Sequence, residues 1–353
     1  MMKKLLAIIL TCLLTLSLGM ACAEITQTED NAFSAQWLAE QSAQLLALGE
    51  GVTLQTQRYA FTLADGTHLE SLCLTASGSI RFGRYGQQVR TALINLDSGE
   101  SVPLDALILD QTALEERLTA YVEGYQEQLN TYLDANDLLP VPLDSVCFTP
   151  RGMLIHYPAE RFSFFSGNSG AVLIRYDLLA DLLPAGVSSQ DGLTAGQLAQ
   201  QVRDAAAQGY LAGLPELRVG EGLHAALTAY GTLTEPDYIE DGEIFEFEAP
   251  LLYGAYAVAP RGAEDDEAAL ITAVRGREIC LGGLSTGAST QEDAVALLGE
   301  PQTSVEISAG TAEYNRLPVG QGLQYACGAY TLTLYFDAET QLLYAAEIAA
   351  VNP

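Results

Sequence analysis

The chain has 353 residues, a formal net charge of -29 and 49% hydrophobic residues. This length and apolar content predict two or three globular domains and argue against general disorder or collagen-like repeats. Its only lysines, Lys3 and Lys4, lie at the extreme N-terminus, so a chain without that segment has no lysine for a P-loop, a Schiff base or general-base catalysis. Nucleic acid is not expected as a partner, because the negative charge would repel phosphates.

Residues 1–23 are predicted to be a signal peptide. The two lysines precede an apolar run, and Ala21-Cys22-Ala23 has the small residues of a signal-peptidase site. The run is shorter than the roughly 20 residues that span a bilayer, so no transmembrane span is expected. We expect the protein to be secreted or to lie on the extracellular face of the cell envelope. Cleavage after Ala23 would give a soluble protein, whereas lipidation of Cys22 would add a lipid anchor, and both alternatives remain open.

The N-terminal half predicts an α+β fold. An amphipathic helix is expected within 24–51, ending near Gly49. Alternating strands over 52–63, 69–74, 80–82 and 89–96 predict an antiparallel meander. A long helix should follow, with Thr112 and Glu115 as its capping box and its apolar face packed on the core. Strands at 146–149, 153–157 and 171–175 and a short helix over 178–183 complete this half.

Part of this half resembles a known extracytoplasmic domain. Four segments are similar to the domain shared by RsiV-type anti-sigma factors and PdaC-type deacetylases (DUF3298-like). They are the run from Asn95 to Leu107, the long helix, Phe148 to Pro158 and Val172 to Leu179. The resemblance covers about residues 52–185 and implies a cell-envelope module. In the anti-sigma members this domain binds lysozyme, and in the deacetylases it accompanies a separate catalytic domain. The chain has neither the cytoplasmic sigma-binding segment nor the metal pattern of a deacetylase.

A Gly- and Ser-rich linker is predicted at 186–193, followed by a tandem-repeat α+β domain over 194–353. A helix capped by Thr194 opens this domain. Two similar units, 219–276 and 284–351, each predict a helix followed by antiparallel strands. Ser289 with Glu292 is expected to cap the second helix, and Gly299 to end it. This pattern resembles the YjgB-like family of secreted proteins (DUF4309-like), and more loosely the beta-lactamase inhibitory protein.

The cysteines of the mature chain allow two interpretations. Cys73 and Cys147 fall in the first predicted domain and Cys280 and Cys327 in the second, so one disulfide in each domain is compatible with an oxidising compartment. Buried free thiols in apolar strands are an equally good interpretation. No C-x-x-C motif occurs, which argues against a zinc ribbon or a thioredoxin-like site.

Motifs for catalysis are absent from the sequence. The three histidines His68, His156 and His224 form no H-x-x-x-H pair, and no G-x-S-x-G elbow occurs. The acidic run 264–267 lacks the spacing of a calcium loop and is interpreted as a solvated turn. We therefore predict no metal, no cofactor and no catalytic residue.

One segment combines aromatic residues with glycines and is the candidate binding loop. Its residues are Phe162, Phe164, Phe165, Ser166 and Asn168. Exposed aromatic side chains often anchor partners, although a packed hairpin is the alternative interpretation.

Two functions fit the sequence. The first is a non-enzymatic cell-envelope binding protein whose ligand is a protein such as lysozyme or a component of the cell wall. The second is a hydrolase of cell-wall glycan or peptide that uses carboxylates in an interdomain cleft.

Overall fold

The computed structural model describes residues 31–49, 51–77, 87–129, 138–157, 171–232, 235–240, 242–247 and 249–351. Helices and antiparallel sheets are both present, and the predicted α+β class is confirmed. The helices are α1 Ala32–Leu46, α2 Gln111–Leu129, α3 Ala195–Ala207, α4 Leu223–Tyr230, α5 Gln291–Leu298 and α6 Ala309–Asn315.

The strands belong to four sheets. Those of the N-terminal half are β1 Thr53–Thr62, β2 His68–Ser77, β3 Gln87–Asn95, β4 Val146–Phe148, β5 Gly152–His156 and β6 Ala171–Arg175. Those of the C-terminal half are β7 Asp237–Ile239, β8 Gly242–Glu246, β9 Ala255–Ala259, β10 Ala273–Gly276, β11 Cys280–Leu281, β12 Leu284–Ser285, β13 Thr303–Ile307, β14 Gly320–Cys327, β15 Tyr330–Asp337 and β16 Leu343–Ala350.

The first sheet is the antiparallel meander that alternation predicts, in the order β1-β2-β3. Its central strand β2 is buried over most of its length. Leu45 of α1 packs on one part of it, beside Leu74 and Ala76. The strand predicted at 80–82 lies outside the described residues.

A second sheet, β4-β5-β6, is buried throughout and packs against β2. The hydroxyl of Ser71 in β2 accepts a hydrogen bond of 2.8 Å from the backbone amide of Phe148 in β4. Helix α2 covers the resulting core with Leu114, Leu118 and Val122, none of which is measurably exposed. The two sheets and this helix thus share one apolar core.

Two local expectations in this half are wrong. Asp110, not Thr112, caps α2: its Oδ1 accepts a hydrogen bond of 3.0 Å from the amide of Ala113, and aspartate serves as well as threonine there. The helix expected over 178–183 is a single 3₁₀ turn, Tyr176–Leu178, followed by turns. Because Pro184 follows so closely, the chain has no room for a regular helix.

The C-terminal half is built on one eight-stranded sheet, in the order β13-β14-β15-β16-β10-β9-β8-β7. The strands of the two repeat units therefore form a single sheet, joined where β10 pairs with β16. Gly254 and Gly328 occupy equivalent places before β9 and β15, with φ of 68° and 67°. Helices α3, α4 and α5 cover the apolar face of this sheet.

Helix α5 begins and ends close to its predicted limits. Its capping box is formed by Thr290 and Asp293, not by Ser289 and Glu292. The Ser289 hydroxyl accepts a hydrogen bond from the amide of Ser285 instead, which removes it from the helix end. Gly299 ends the helix with φ of 77°, a conformation that glycine adopts without strain.

The segment 186–193 contacts both halves. The carbonyl of Val187, a residue 1% exposed, accepts a hydrogen bond of 2.9 Å from the hydroxyl of Tyr59. Oε1 of Gln190 accepts another, of 3.0 Å, from the amide of Gly283. The division into domains at this segment stays a prediction.

Within the described part of the chain, none of the helices has the length and apolar character needed to cross a membrane.

Candidate functional site

The two halves of the chain meet at Arg151, in the turn between β4 and β5. Its guanidinium donates hydrogen bonds to three backbone carbonyls, those of Leu251, Tyr253 (3.0 Å) and Glu278 (2.7 Å). Only 6% of the residue is exposed. Burial lowers the pKa of Arg151, although the negative charges of Glu216 and Glu278 act to raise it. Because buried carbonyls need donors, Arg151 ties the C-terminal half to the turn that carries it.

Arg175, the last residue of β6, makes a second connection. Its Nε and Nη2 donate to the two carboxylate oxygens of Asp177 at 3.0 and 3.1 Å. Nη1 donates to Oε2 of Glu278 at 3.1 Å and to the hydroxyl of Thr286 at 2.5 Å. Burial alone would lower the pKa of Arg175, but the carboxylates of Asp177 and Glu278 outweigh it and raise that pKa.

Two carboxyl groups near these arginines titrate close to neutral pH. Burial raises the pKa of Glu278 to about 7, although Arg175 and Arg151 act in the opposite direction. Burial also raises the pKa of Glu216 to about 7, with Arg151 opposing. Oε2 of Glu216 is buried and has no hydrogen-bond partner among the described residues. Of these two carboxyl groups Glu278 lines a cavity, which makes it a candidate acid or base.

A cavity of about 230 Å³ lies beside this cluster, smaller than the roughly 300 Å³ at which ligand pockets begin. The carboxylates that line it are Asp177, Asp191 and Glu278. Each has protein partners: Asp177 and Glu278 bind Arg175, and Asp191 accepts hydrogen bonds of 2.8 and 3.2 Å from two backbone amides of its own loop. Glu278 therefore links the C-terminal half to Arg175, whereas Asp191 fixes the conformation of its own loop.

A larger open groove, of about 520 Å³, adjoins the cavity and shares Pro150, Gln190 and Gly213 with it. One face of α3 forms its wall. The glutamines that line it are Gln190, Gln197, Gln200 and Gln201. Among the described lining residues Asp204 is the one that carries a charge, and Tyr210 supplies an aromatic ring. We call this surface the glutamine groove.

The polar wall of the groove follows from the sequence of α3. Gln197, Gln200, Gln201 and Asp204 stand at i, i+3, i+4 and i+7, so they share one helix face. Val202 and other small apolar residues on the opposite face are buried against the large sheet. The Thr194–Gln197 capping box starts the helix and sets its first turn.

The glutamine side chains differ in how they are held. Nε2 of Gln200 donates to Oδ1 of Asp204 at 2.7 Å, and both side chains are exposed. Oε1 of Gln201 is buried and has no hydrogen-bond partner among the described residues. The guanidinium carbon of Arg218 lies 4.6 Å from the centre of the Tyr210 ring. The groove thus combines neutral hydrogen-bonding groups with an aromatic ring that a cation holds in place.

The candidate binding loop cannot be compared with this groove. Phe162, Phe164, Phe165, Ser166 and Asn168 lie outside the described residues, as does Cys22.

The four remaining cysteines are all free thiols in the structure. Cys73 and Cys147 nevertheless lie side by side, with His156 next to them. A hydrogen bond from the Cys147 thiol, assisted by His156, lowers the pKa of Cys73 well below its usual value against the effect of burial. The same hydrogen bond, together with burial, raises the pKa of Cys147.

Cys280 and Cys327 have different surroundings. The thiol of Cys280 lies 3.5 Å from Oε1 of Gln190, whereas Cys327 is buried in the core beneath the large sheet. Burial raises the pKa of both thiols.

Sequence reasoning missed the glutamine groove and the two arginines. The i, i+3, i+4, i+7 spacing on α3 was a usable signal for a polar stripe on one face. Nothing local shows that Arg151 and Arg175 connect the two halves, because the partners that do so, such as Glu278, lie more than a hundred residues away.

No protein-family model matches the chain, and no curated protein matches it. Solved structures similar to it include the DUF4309 family protein YjgB from Bacillus subtilis, with a TM-score of 0.30 and 14% identity over 44% of this chain and 97% of that one. A DUF3298 family protein from Pseudomonas aeruginosa has a TM-score of 0.27 and 16% identity, over 44% of this chain and 72% of that one.

Another DUF3298 family member, from Bacteroides fragilis, has a TM-score of 0.25 and 10% identity, over 43% of this chain and 62% of that one. Both families to which the sequence has a resemblance are therefore among its structural neighbours. With TM-scores no higher than 0.30, these similarities carry no information about function.

Proposed function

We propose that this chain is an exported, non-enzymatic binding protein of the cell envelope, and that its ligand is a cell-wall glycan held in the glutamine groove. The observation that carries the proposal is the lining of that groove, in which four glutamine amides and one tyrosine ring surround a cavity of about 520 Å³. A concave surface with a few convergent polar groups is the usual form of a ligand site.

The chemistry of the lining suits a sugar. Oε1 of Gln197 accepts hydrogen bonds from Thr194, and Oε1 of Gln190 accepts one from the amide of Gly283, so these two glutamines offer a ligand their remaining N–H donors. Amide donors match the hydroxyl and acetamido oxygens of a wall glycan. Neutral amides also cost less to desolvate than charged side chains, and Asp204 is the one charged group among the described lining residues. Oε1 of Gln201 is buried and has no hydrogen-bond partner among the described residues, so rotation of this side chain toward the groove would let the oxygen accept a hydrogen bond from a ligand hydroxyl.

The state of the carboxylates supports binding over hydrolysis. Glycosidases use a pair of carboxyl groups that flank the bond to be cleaved. Here Asp177 and Glu278 are held by Arg175, and Asp204 accepts a hydrogen bond from Gln200. A carboxylate bound in this way is poorly placed to move a proton or attack a sugar.

Hydrolysis is the second candidate, and one observation favours it. The pKa of Glu278, raised to about 7, is near the value expected of a catalytic acid. Incubation of the protein with purified cell wall, followed by measurement of released reducing sugar, tests this function. Release that disappears in Glu278→Gln would establish hydrolysis and refute the non-enzymatic role.

Binding is tested by calorimetric titration with soluble peptidoglycan fragments and, separately, with lysozyme at physiological salt. Gln200→Ala should weaken glycan binding about five- to tenfold, as expected for one lost hydrogen bond. Gln36→Ala is the matched control. Like Gln200, Gln36 donates a hydrogen bond to an acidic residue four positions later, Glu40 at 2.9 Å, but it lies on α1 and not in the glutamine groove.

Equal affinities for these two variants, or no binding of any glycan, would contradict the site. Binding of lysozyme that persists at physiological salt, without glycan binding, would show that the ligand is a protein. Weak association at low salt alone carries no weight, since the net charge of -29 attracts any basic protein.

Export is part of the proposal and has its own test. Mass spectrometry of the natural N-terminus should find Glu24 if cleavage follows Ala23, or an acylated Cys22 if the chain is lipidated. An unprocessed Met1 would contradict export.

A further inference from the structure

Three side chains that bind soft metals converge between the two N-terminal sheets. Cys73 lies in β2, Cys147 in β4 and His156 at the end of β5. One sulfur or nitrogen atom from each lies within 4.8 Å of the other two. All three residues are buried, with exposed fractions of 2%, 1% and 8%.

The pairing of the strands accounts for this convergence. Cys147 stands opposite Leu154 in the β4–β5 ladder, and His156 follows Leu154 by two residues. Residues two apart in a strand share a face, so Cys147 and His156 point toward the same side of the sheet. That side packs on β2, where Cys73 belongs to the same small core cluster as Leu154.

We propose that Cys73, Cys147 and His156 bind a zinc ion that links the two N-terminal sheets. Zinc lies about 2.3 Å from a cysteine sulfur and about 2.0 Å from a histidine nitrogen, which at the tetrahedral angle places that sulfur and nitrogen about 3.5 Å apart. Sγ of Cys73 and Nε2 of His156 are 3.5 Å apart. Cys73 and His156 therefore already have the separation that zinc requires, and the sulfur of Cys147 lies within 4.8 Å of both.

Charge balance selects a divalent ion. Two thiolates and a neutral imidazole around Zn²⁺ sum to zero, and a neutral cluster is what a dry apolar core accommodates at least cost. Cu⁺ in the same place would leave a net negative charge among Leu154, Ala171 and Leu173.

A neighbouring hydroxyl can donate a hydrogen bond to the thiolate of Cys73. The hydroxyl of Thr75, two residues along β2, lies 3.9 Å from Sγ of Cys73. Because Nε2 of His156 faces the thiol, this nitrogen would bind the metal and the proton would stay on Nδ1. The site differs from known cysteine motifs in spacing, since its ligands come from three separate strands.

The first experiment uses the full chain, expressed with its leader and recovered without reductant. The protein is dialysed against Zn²⁺ and then against buffer, and metal content is measured by mass spectrometry. We expect about one zinc per chain and free thiols at Cys73 and Cys147. Replacement of the zinc by Co²⁺ should produce thiolate charge-transfer absorption and the bands of a tetrahedral ion, which report the site without any mutation.

Variants locate the metal. Cys147→Ser and His156→Asn should each lose the zinc, whereas the double variant Cys280→Ser, Cys327→Ser should retain it. Zinc should also raise the melting temperature of the unaltered chain, because the ion binds only the folded state tightly.

Three results would overturn the proposal. The first is a disulfide between Cys73 and Cys147 in the recovered protein, found by peptide mapping. The second is the absence of zinc and of the cobalt spectrum in the unaltered chain. The third is zinc that stays in Cys147→Ser or disappears from the Cys280, Cys327 double variant.

Discussion

Replacement of Arg151 by methionine should cost about 4 kcal/mol of folding free energy. The variant keeps most of the apolar stem of the side chain but removes the donors for the carbonyls of Leu251, Tyr253 and Glu278. A hydrogen bond to a charged group contributes about 1.5 to 3 kcal/mol, so three amount to at least about 4.5 kcal/mol. Burying the guanidinium offsets part of this gain, which leaves about 4 kcal/mol.

Urea unfolding followed by circular dichroism measures this cost. Because Arg151 connects the two halves, its loss should also separate the transition into two steps, with one half melting before the other. Arg90→Met is the control: Arg90 is exposed and its side chain bonds to Val89 and Gln88 beside it, so the change should be within about 0.5 kcal/mol. A cost below about 1 kcal/mol for Arg151→Met would show that the three hydrogen bonds do not stabilise the junction.

Three smaller predictions concern individual side chains. The pKa of Glu278 is raised from its ordinary 4.5 to about 7, so the folded state binds this proton more tightly than the unfolded state does. The resulting contribution to stability is present below pH 4.5 and falls by about 3 kcal/mol as the pH rises through 7. Glu278→Gln should flatten that part of the stability profile, and an unchanged profile would contradict the assignment. Thr290→Ala should cost about 1 kcal/mol in urea unfolding, whereas Glu292→Ala in the same turn should stay within about 0.5 kcal/mol, and equal costs would argue against the Thr290–Asp293 box. Gln201→Met should stabilise the fold by about 1 kcal/mol while weakening glycan binding, because it removes a buried oxygen that has no partner among the described residues. A loss of stability would show that the oxygen is satisfied.

Local chemistry made several elements predictable. The Thr194 cap, the glycine at 299 and the short strand at 171–175 each depend on a few residues, and the structure has these features where the pattern indicates them. Where two capping residues compete, as Asp110 does with Thr112, the pattern alone cannot choose between them. The choice depends on which residue the preceding chain leaves in an extended conformation.

The sequence by itself determined the α+β class, the meander and the positions of the longer helices, because hydrophobic periodicity and turn residues are local properties. It did not predict α6, a helix of seven residues. Only the tertiary structure decided that both repeat units share one sheet, that Arg151 and Arg175 are buried, and that Cys73, Cys147 and His156 meet. Cys73 and His156 are 83 residues apart in the chain, although their side chains lie 3.5 Å apart. Contacts at such separations arise from how sheets pack on one another, and no local pattern in a single sequence records that packing.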